Sequence, residues 1–187
     1  MKQYRVGIIG ATGMVGQRFA SLLENHPWFT VTALAASSRS AGKTYQEAVG
    51  SRWAMATPIP AAMKDMIILD AQKDVDKVTA LVDFVFCAVD MKKDEIRALE
   101  EMYAKAECPV MSNNSDVPMI IPEINADHAK IIPAQRKRLG TKKGFISVKS
   151  NCSLQSYVPA VNAMMDLGVT KVLACTYQAI SGADKTF

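Results

Sequence analysis

Seven residues near the N-terminus, Gly10-Ala11-Thr12-Gly13-Met14-Val15-Gly16, constrain the fold of this chain more than any other stretch. They stand between a continuous apolar run, "YRVGIIG", and a helix-periodic run, "MVGQRFASLLENHP", that Pro27 stops. "FTVTALAAS" then reads as a second strand, so the three pieces make a βαβ unit. Glycines spaced GxxGxxG at the hand-over from strand to helix are a variant of the dinucleotide fingerprint. Gly10 permits the tight turn, Gly13 lets backbone amides approach a pyrophosphate, and Gly16 lets helix pack closely on strand.

The alternation continues. "MIILD", "DFVFCAVD", "PVMSNNS" and "GFISVKS" read as strands, while "DKVTALV" and "KKDEIRALEEMYAKAE" read as helices. The rhythm predicts an α/β fold with a Rossmann-like, doubly wound, mostly parallel sheet. Residues 116 to 135 break it with three prolines and read as a surface excursion into a short helix. After Cys152, "LQSYVPAVNAMMDLG" has helical spacing and Gly168 supplies a stop. An interior proline costs roughly 3 kcal/mol, so Pro159 predicts a kink, or a regular helix that starts near it with Cys152 on an irregular first turn. "TKVLACTYQAISGADKTF" reads as a strand followed by a polar loop.

Several function classes are disfavoured. No apolar run reaches the ~18 residues of a membrane span, and the N-terminus enters a strand without a signal-peptide core, so a cytoplasmic protein is expected. The net charge is +4, and the one basic run, "QRKRLGTKK", has no interleaved aromatics. It reads as a solvated helix end rather than a nucleic-acid surface. The four cysteines show neither CxxC spacing nor framework density, which argues against a metal site or a disulfide scaffold.

An NAD-preferring site places Asp or Glu at the end of the second strand. Here "ASSRSAGK" stands there, and Ser37, Ser38, Arg39 and Ser40 offer hydroxyls and a guanidinium that suit a 2′-phosphate, so NADP is the expected cofactor. Cys87 and Cys175 lie inside apolar strand runs and read as core, and nothing near Cys108 would activate it. Cys152 follows a strand and opens a helical stretch, where unpaired amides favour the thiolate; it is the candidate nucleophile. A dinucleotide fold with such a thiolate points to aldehyde oxidation through a thioester, or, reversed, to reduction of an acyl phosphate.

"GIIGATGMVGQRF", "ASSRSAGK", "VPMIIPEIN", "SNCS" and "TYQAISGA" together resemble aspartate-semialdehyde dehydrogenases over essentially the whole chain. The resemblance implies NADPH-dependent interconversion of β-aspartyl phosphate and aspartate semialdehyde, with phosphate as co-substrate, on the route to lysine, threonine, methionine and diaminopimelate. It implies Cys152 as the acylated nucleophile, Asn151 as the residue shaping the oxyanion pocket, and Gln178 as the residue orienting substrate. It also implies Thr12, Gly13, Met14 and Val15 as the pyrophosphate cradle, with Ser181 and Gly182 closing over the nicotinamide. Residues 1–151 would form the NADP-binding domain and 152–187 the start of a catalytic and dimerisation domain. In the family that domain supplies an acid/base histidine, a substrate arginine and a homodimer or homotetramer interface, so this chain looks truncated and is expected to be nearly inactive alone. It departs from the family in having no arginine from 98 to 135, where a phosphate-binding arginine is usual, and in carrying Asp184 in place of a glycine. N-acetyl-glutamyl-phosphate reductase shares the fold and the chemistry, and an NADP-binding sensor shares the glycine turn; both stay open as alternatives.

Overall fold

The computed structural model describes residues 3–114 and 119–177. At its centre β1 (Tyr4–Ile9) pairs in parallel with β2 (Phe29–Ala36) on one side and β4 (Phe84–Cys87) on the other. Val6 and Ile8 bury on one face of β1 and Ile9 on the other, which is why the strand reads as a continuous apolar run. β3 (Leu69–Asp70) extends the sheet beyond β2, while β5 (Val110–Ser112), β7 (Ile146–Lys149) and β6 (Met119–Ile120) extend it beyond β4. The order is β3-β2-β1-β4-β5-β7-β6, and every described pairing within it is parallel.

Two apolar layers flank the sheet. On one face α1 (Met14–Leu23) and α2 (Tyr45–Val49) bury Ala20, Leu23, Tyr45, Ala48 and Val49 against Val6, Ile8 and Leu34. On the other, α3 (Val75–Leu81), α4 (Lys93–Lys105) and α6 (Ile132–Leu139) pack Val78, Leu99, Tyr103 and Leu139 against Ile9, Val85, Val110, Ile146 and Val148. Strand order reverses between β1 and β4, and in such sheets the crevice at the carboxyl ends beside that point is the ligand site.

Four local readings need correction. The α1 helix ends at Leu23, ahead of Pro27, because Glu24 turns extended with ψ 125° and Asn25 then takes a left-handed φ of 55°. The excursion after residue 116 contains an edge strand, β6, paired through Met119 and Ile120 to β7, and then α5 (Pro122–Asn125). The helix α7 (Cys152–Ala163) starts at Cys152 with Pro159 inside it, so its helical part does not wait for the proline. Proline has no amide to give the Gln155 carbonyl, and a helix without a buried residue leaves that carbonyl to water. Finally, residues 169–177 form no strand: Leu173 is 90% exposed and Tyr177 fully so, and an apolar run without a neighbouring edge has nothing to pair with. Cys175, expected in a core, is therefore exposed.

Candidate active site

The glycine turn joins β1 to α1 as its spacing requires. Gly10 has φ +85°, and a Cβ there would lie 2.5 Å from the Ala88 carbonyl oxygen at the end of β4. At Gly16 a Cβ would overlap the Gly10 carbonyl oxygen and come within 2.7 Å of the Ala11 Cα. At Gly13 a Cβ would meet only the Gly10 oxygen, at 3.5 Å, so this outward face is open to a ligand. Gly13 is the N-cap of α1 and has no side chain to cap it, so the first amides of the helix, at the exposed Met14 and Val15, are left for an anion. Thr12 lies half-buried beside them.

The loop after β2 stands next to this turn. Ser37, Ser38 and Arg39 are exposed, whereas Ser40 turns inward, buried, with its amide bonded to the Ser37 carbonyl at 2.9 Å. The neighbouring strand β3 ends on a carboxylate, Asp70. Its carboxylate is occupied by the amides of Gln72 and Lys73, and the exposed Arg39 is the cationic side chain of the loop after β2.

Cys152 opens α7 directly after β7, and it is exposed. Asn151 is the N-cap: its Oδ1 accepts the Ser153 amide at 2.9 Å and lies 4.0 Å from the Cys152 Sγ. Just before it, the Lys149 Nζ donates to the Ser150 carbonyl at 3.1 Å. Two of the other thiols, Cys87 and Cys108, are sealed in the interior. Burial, with Glu100 beside it, pushes Cys87 well above the ordinary thiol range, and burial pushes Cys108 up to about 12. Glycine turn, serine–arginine loop and Cys152 follow β1, β2 and β7, so a parallel sheet places all three along one edge. Cys152 is three strand spacings from the glycine turn, ~14 Å. Gln178, Ser181 and Gly182 lie outside the described residues.

Three buried polar side chains escaped the sequence reading. Tyr45 donates its hydroxyl to the Ala11 carbonyl at 3.0 Å, and Gln17 donates to the Thr12 carbonyl at 3.1 Å. Glu100, 2% exposed, accepts from the Ser112 hydroxyl at 2.6 Å and from the Asn114 side chain at 3.1 Å, fixing the chain as it leaves β5. Gln17 and Glu100 each occupy the buried face of their helix, and a polar residue at an apolar-periodic position was the available signal.

Comparison with known proteins agrees with this geometry. Residues 5–132 match the family model described as semialdehyde dehydrogenase, NAD binding domain. Aspartate-semialdehyde dehydrogenase of Archaeoglobus fulgidus is 41% identical across 97% of this chain and 52% of its own length; that of Cryptococcus neoformans is 40% identical across 97% and 50%. The crystal structure of aspartate semialdehyde dehydrogenase with NADP from Candida albicans superposes with a TM-score of 0.73 at 32% identity, over 89% of this chain and 48% of that one. The chain thus spans about half the length of the curated relatives it matches. With the glycine turn, the parallel sheet and the family match in register, this chain belongs to the semialdehyde dehydrogenase family.

Proposed function

We propose that the chain carries the NADP-binding and thiol-bearing part of an aspartate-semialdehyde dehydrogenase that reductively dephosphorylates β-aspartyl phosphate to aspartate semialdehyde. The observation that carries this reading is the position of Cys152: exposed, first in α7, on the same edge of the sheet as the glycine turn. Residues 1–151 serve as the dinucleotide domain and 152–187 begin the catalytic one. The open face at Gly13 and the amides of Met14 and Val15 fit a pyrophosphate, and Ser37, Ser38 and Arg39 fit a 2′-phosphate.

The Cys152 thiolate attacks the acyl carbon of the substrate, the acyl–oxygen bond to phosphate breaks, and inorganic phosphate leaves a thioester on Sγ. NADPH held at the glycine turn would supply the hydride that takes the thioester to the aldehyde level, and Cys152 would leave as the thiolate. Asn151 has committed Oδ1 to its cap, so its Nδ2 is the group left to donate to the acyl oxygen as charge develops. Gln178 orients the substrate, and Ser181 and Gly182 close over the nicotinamide end. The full protein acts in the cytoplasm as a homo-oligomer; among the described residues no helix is long and apolar enough to cross a membrane.

The test is acylation by β-aspartyl phosphate, read by intact mass in a Cys175→Ser background because Cys175 is also exposed. One acyl group is expected, and Cys152→Ala should abolish it along with phosphate-dependent NADP reduction. Acylation that survives Cys152→Ala refutes the assignment. The 187-residue chain alone should acylate yet turn over slowly. Its His26 stacks on Phe29 at the amino edge of the sheet and its His128 is tied through Nδ1 to Asn125, and a missing proton-transfer group costs ~10²–10⁴-fold.

A further inference from the structure

The glycine turn has three successive carbonyls, and each is held by a donor. The Gly10 oxygen takes the Gly13 amide at 3.1 Å, the Ala11 oxygen takes the Tyr45 hydroxyl at 3.0 Å, and the Thr12 oxygen takes the Gln17 Nε2 at 3.1 Å. Tyr45 and Gln17 are both buried, and neither was reached by the motif. Gln17 spends its whole amide there: its Nε2 also donates to the Arg52 carbonyl at 3.0 Å, and its Oε1 accepts the Ala54 amide at 2.8 Å. Tyr45 is wedged by Trp53, edge to face at 6.2 Å, and burial raises its phenol far above the ordinary range, so it stays a neutral donor.

Peptide planarity turns these bonds into a statement about the amides. In a trans peptide C=O and N–H point in opposite directions, so drawing a carbonyl inward aims the amide of the next residue outward. Tyr45 pulls the Ala11 oxygen into the interior and thereby turns the Thr12 N–H away from it; that N–H meets no acceptor among the described residues. It joins the Met14 and Val15 amides, which helix geometry leaves unpaired. Were the Ala11 carbonyl to rotate outward, its lone pairs would face the incoming anion in place of a donor.

We infer that Tyr45 and Gln17 are positioning residues for the dinucleotide's pyrophosphate: from beneath the turn Tyr45 fixes the Ala11–Thr12 peptide plane so that the amide of Thr12 faces the phosphates, and Gln17 braces the next plane, whose Gly13 amide closes the turn on the Gly10 carbonyl. This rests on the cofactor reading proposed above. It adds that the strength of the cradle is set by α2 and by the segment through Trp53, outside the glycine motif.

Tyr45→Phe removes one oxygen and keeps the ring, and Gln17→Met keeps the volume without the amide. Calorimetry on the cofactor-free protein should show NADP binding weakened about tenfold in each, the worth of one well-placed hydrogen bond. Binding of adenosine 2′-monophosphate, which has no pyrophosphate, should change less than about twofold on that same scale. In amide NMR spectra, inorganic pyrophosphate should shift the Thr12, Met14 and Val15 resonances of the wild type, and the Thr12 response should vanish in Tyr45→Phe. Unchanged NADP affinity in both variants overturns the inference, as does equal loss of NADP and adenosine 2′-monophosphate, which would mark general loosening. If the wild type binds no NADP, the cofactor reading fails by itself, and the Thr12 response to pyrophosphate still decides this one: retained in Tyr45→Phe, it refutes the positioning role.

Discussion

Gly16→Ala sets two effects of opposite sign against each other. Gly16 lies in the first turn of α1, where alanine should stabilise a helix by ~1 kcal/mol relative to glycine. The new Cβ, however, would overlap the Gly10 carbonyl oxygen and sit 2.7 Å from the Ala11 Cα. Both neighbours are backbone, so no side chain can swing aside, and relief requires α1 to lift off β1. A gap of 0.5–1 Å forfeits roughly a quarter to a half of each dispersion contact, and it would open between Ala20 and Leu23 on one side and Val6, Ile8 and Leu34 on the other. Overpacking costs about 1–3 kcal/mol, and rigid neighbours place this site at the upper end. The expected net loss is ~2 kcal/mol, or roughly 4–8 °C in Tm for a chain of this length. Gly13→Ala is the control: φ there is −75°, the Cβ would lie 3.5 Å from its nearest neighbour, and the change at an N-cap should cost under ~1 kcal/mol. It places a methyl on the face where phosphates would approach, so it should spare Tm and weaken NADP binding at least about tenfold. Urea unfolding and calorimetry on both proteins decide the matter. A Gly16→Ala protein more stable than the wild type, or a Gly13→Ala protein that loses stability in place of affinity, would refute the reasoning.

Arg39→Ala should weaken NADP binding by about 10–100-fold, the worth of hydrogen bonds to a charged group, and leave NAD binding unchanged; equal effects on both cofactors would remove Arg39 from the 2′-phosphate. Glu107, in left-handed conformation at φ 61°, accepts the amides of Lys142, Lys143 and Gly144, and these bonds hold its carboxyl below the usual carboxylate range. Its folded pKa is lowered, so its contribution is complete above the unfolded value of about 4.3 and is lost as pH falls through the folded one. Thermal melts should therefore show a wild-type advantage over Glu107→Gln that is flat near neutrality and closes in acid, and a gap independent of pH would contradict it. Glu100→Leu should cost about 2–4 kcal/mol by chemical denaturation, since it strands the buried Ser112 hydroxyl and the half-buried Asn114 amide, while Glu100→Gln, which keeps an acceptor for Ser112, should cost about 1 kcal/mol.

What was legible in the sequence was the part set by local rules. The continuous apolar runs of β1 and β4 announced strands covered on both faces, and the glycines between β1 and α1 announced the close approach at Gly10 and Gly16. Cys152 stood out because a strand ends just before it and a helix starts on it. What stayed hidden depends on partners distant in the chain. Tyr45 reaches Ala11 across 34 positions, and β6 is a strand only because β7 lies beside it. The apolar run at 169–177 shows the converse, since β-favouring residues without an adjacent edge do not make a strand.

The two apolar layers do not cover the sheet equally. β1 and β2 have buried side chains on both faces, whereas β5 and β7 bury Val110, Ile146 and Val148 on one face and leave Met111, Ser147 and Lys149 half-buried on the other. Deuterium should therefore enter this molecule as a gradient. It should arrive first at the short strand of Met119, then at the Ile146 strand through local fraying, and last at the Val6 strand, which can exchange only when the whole domain opens.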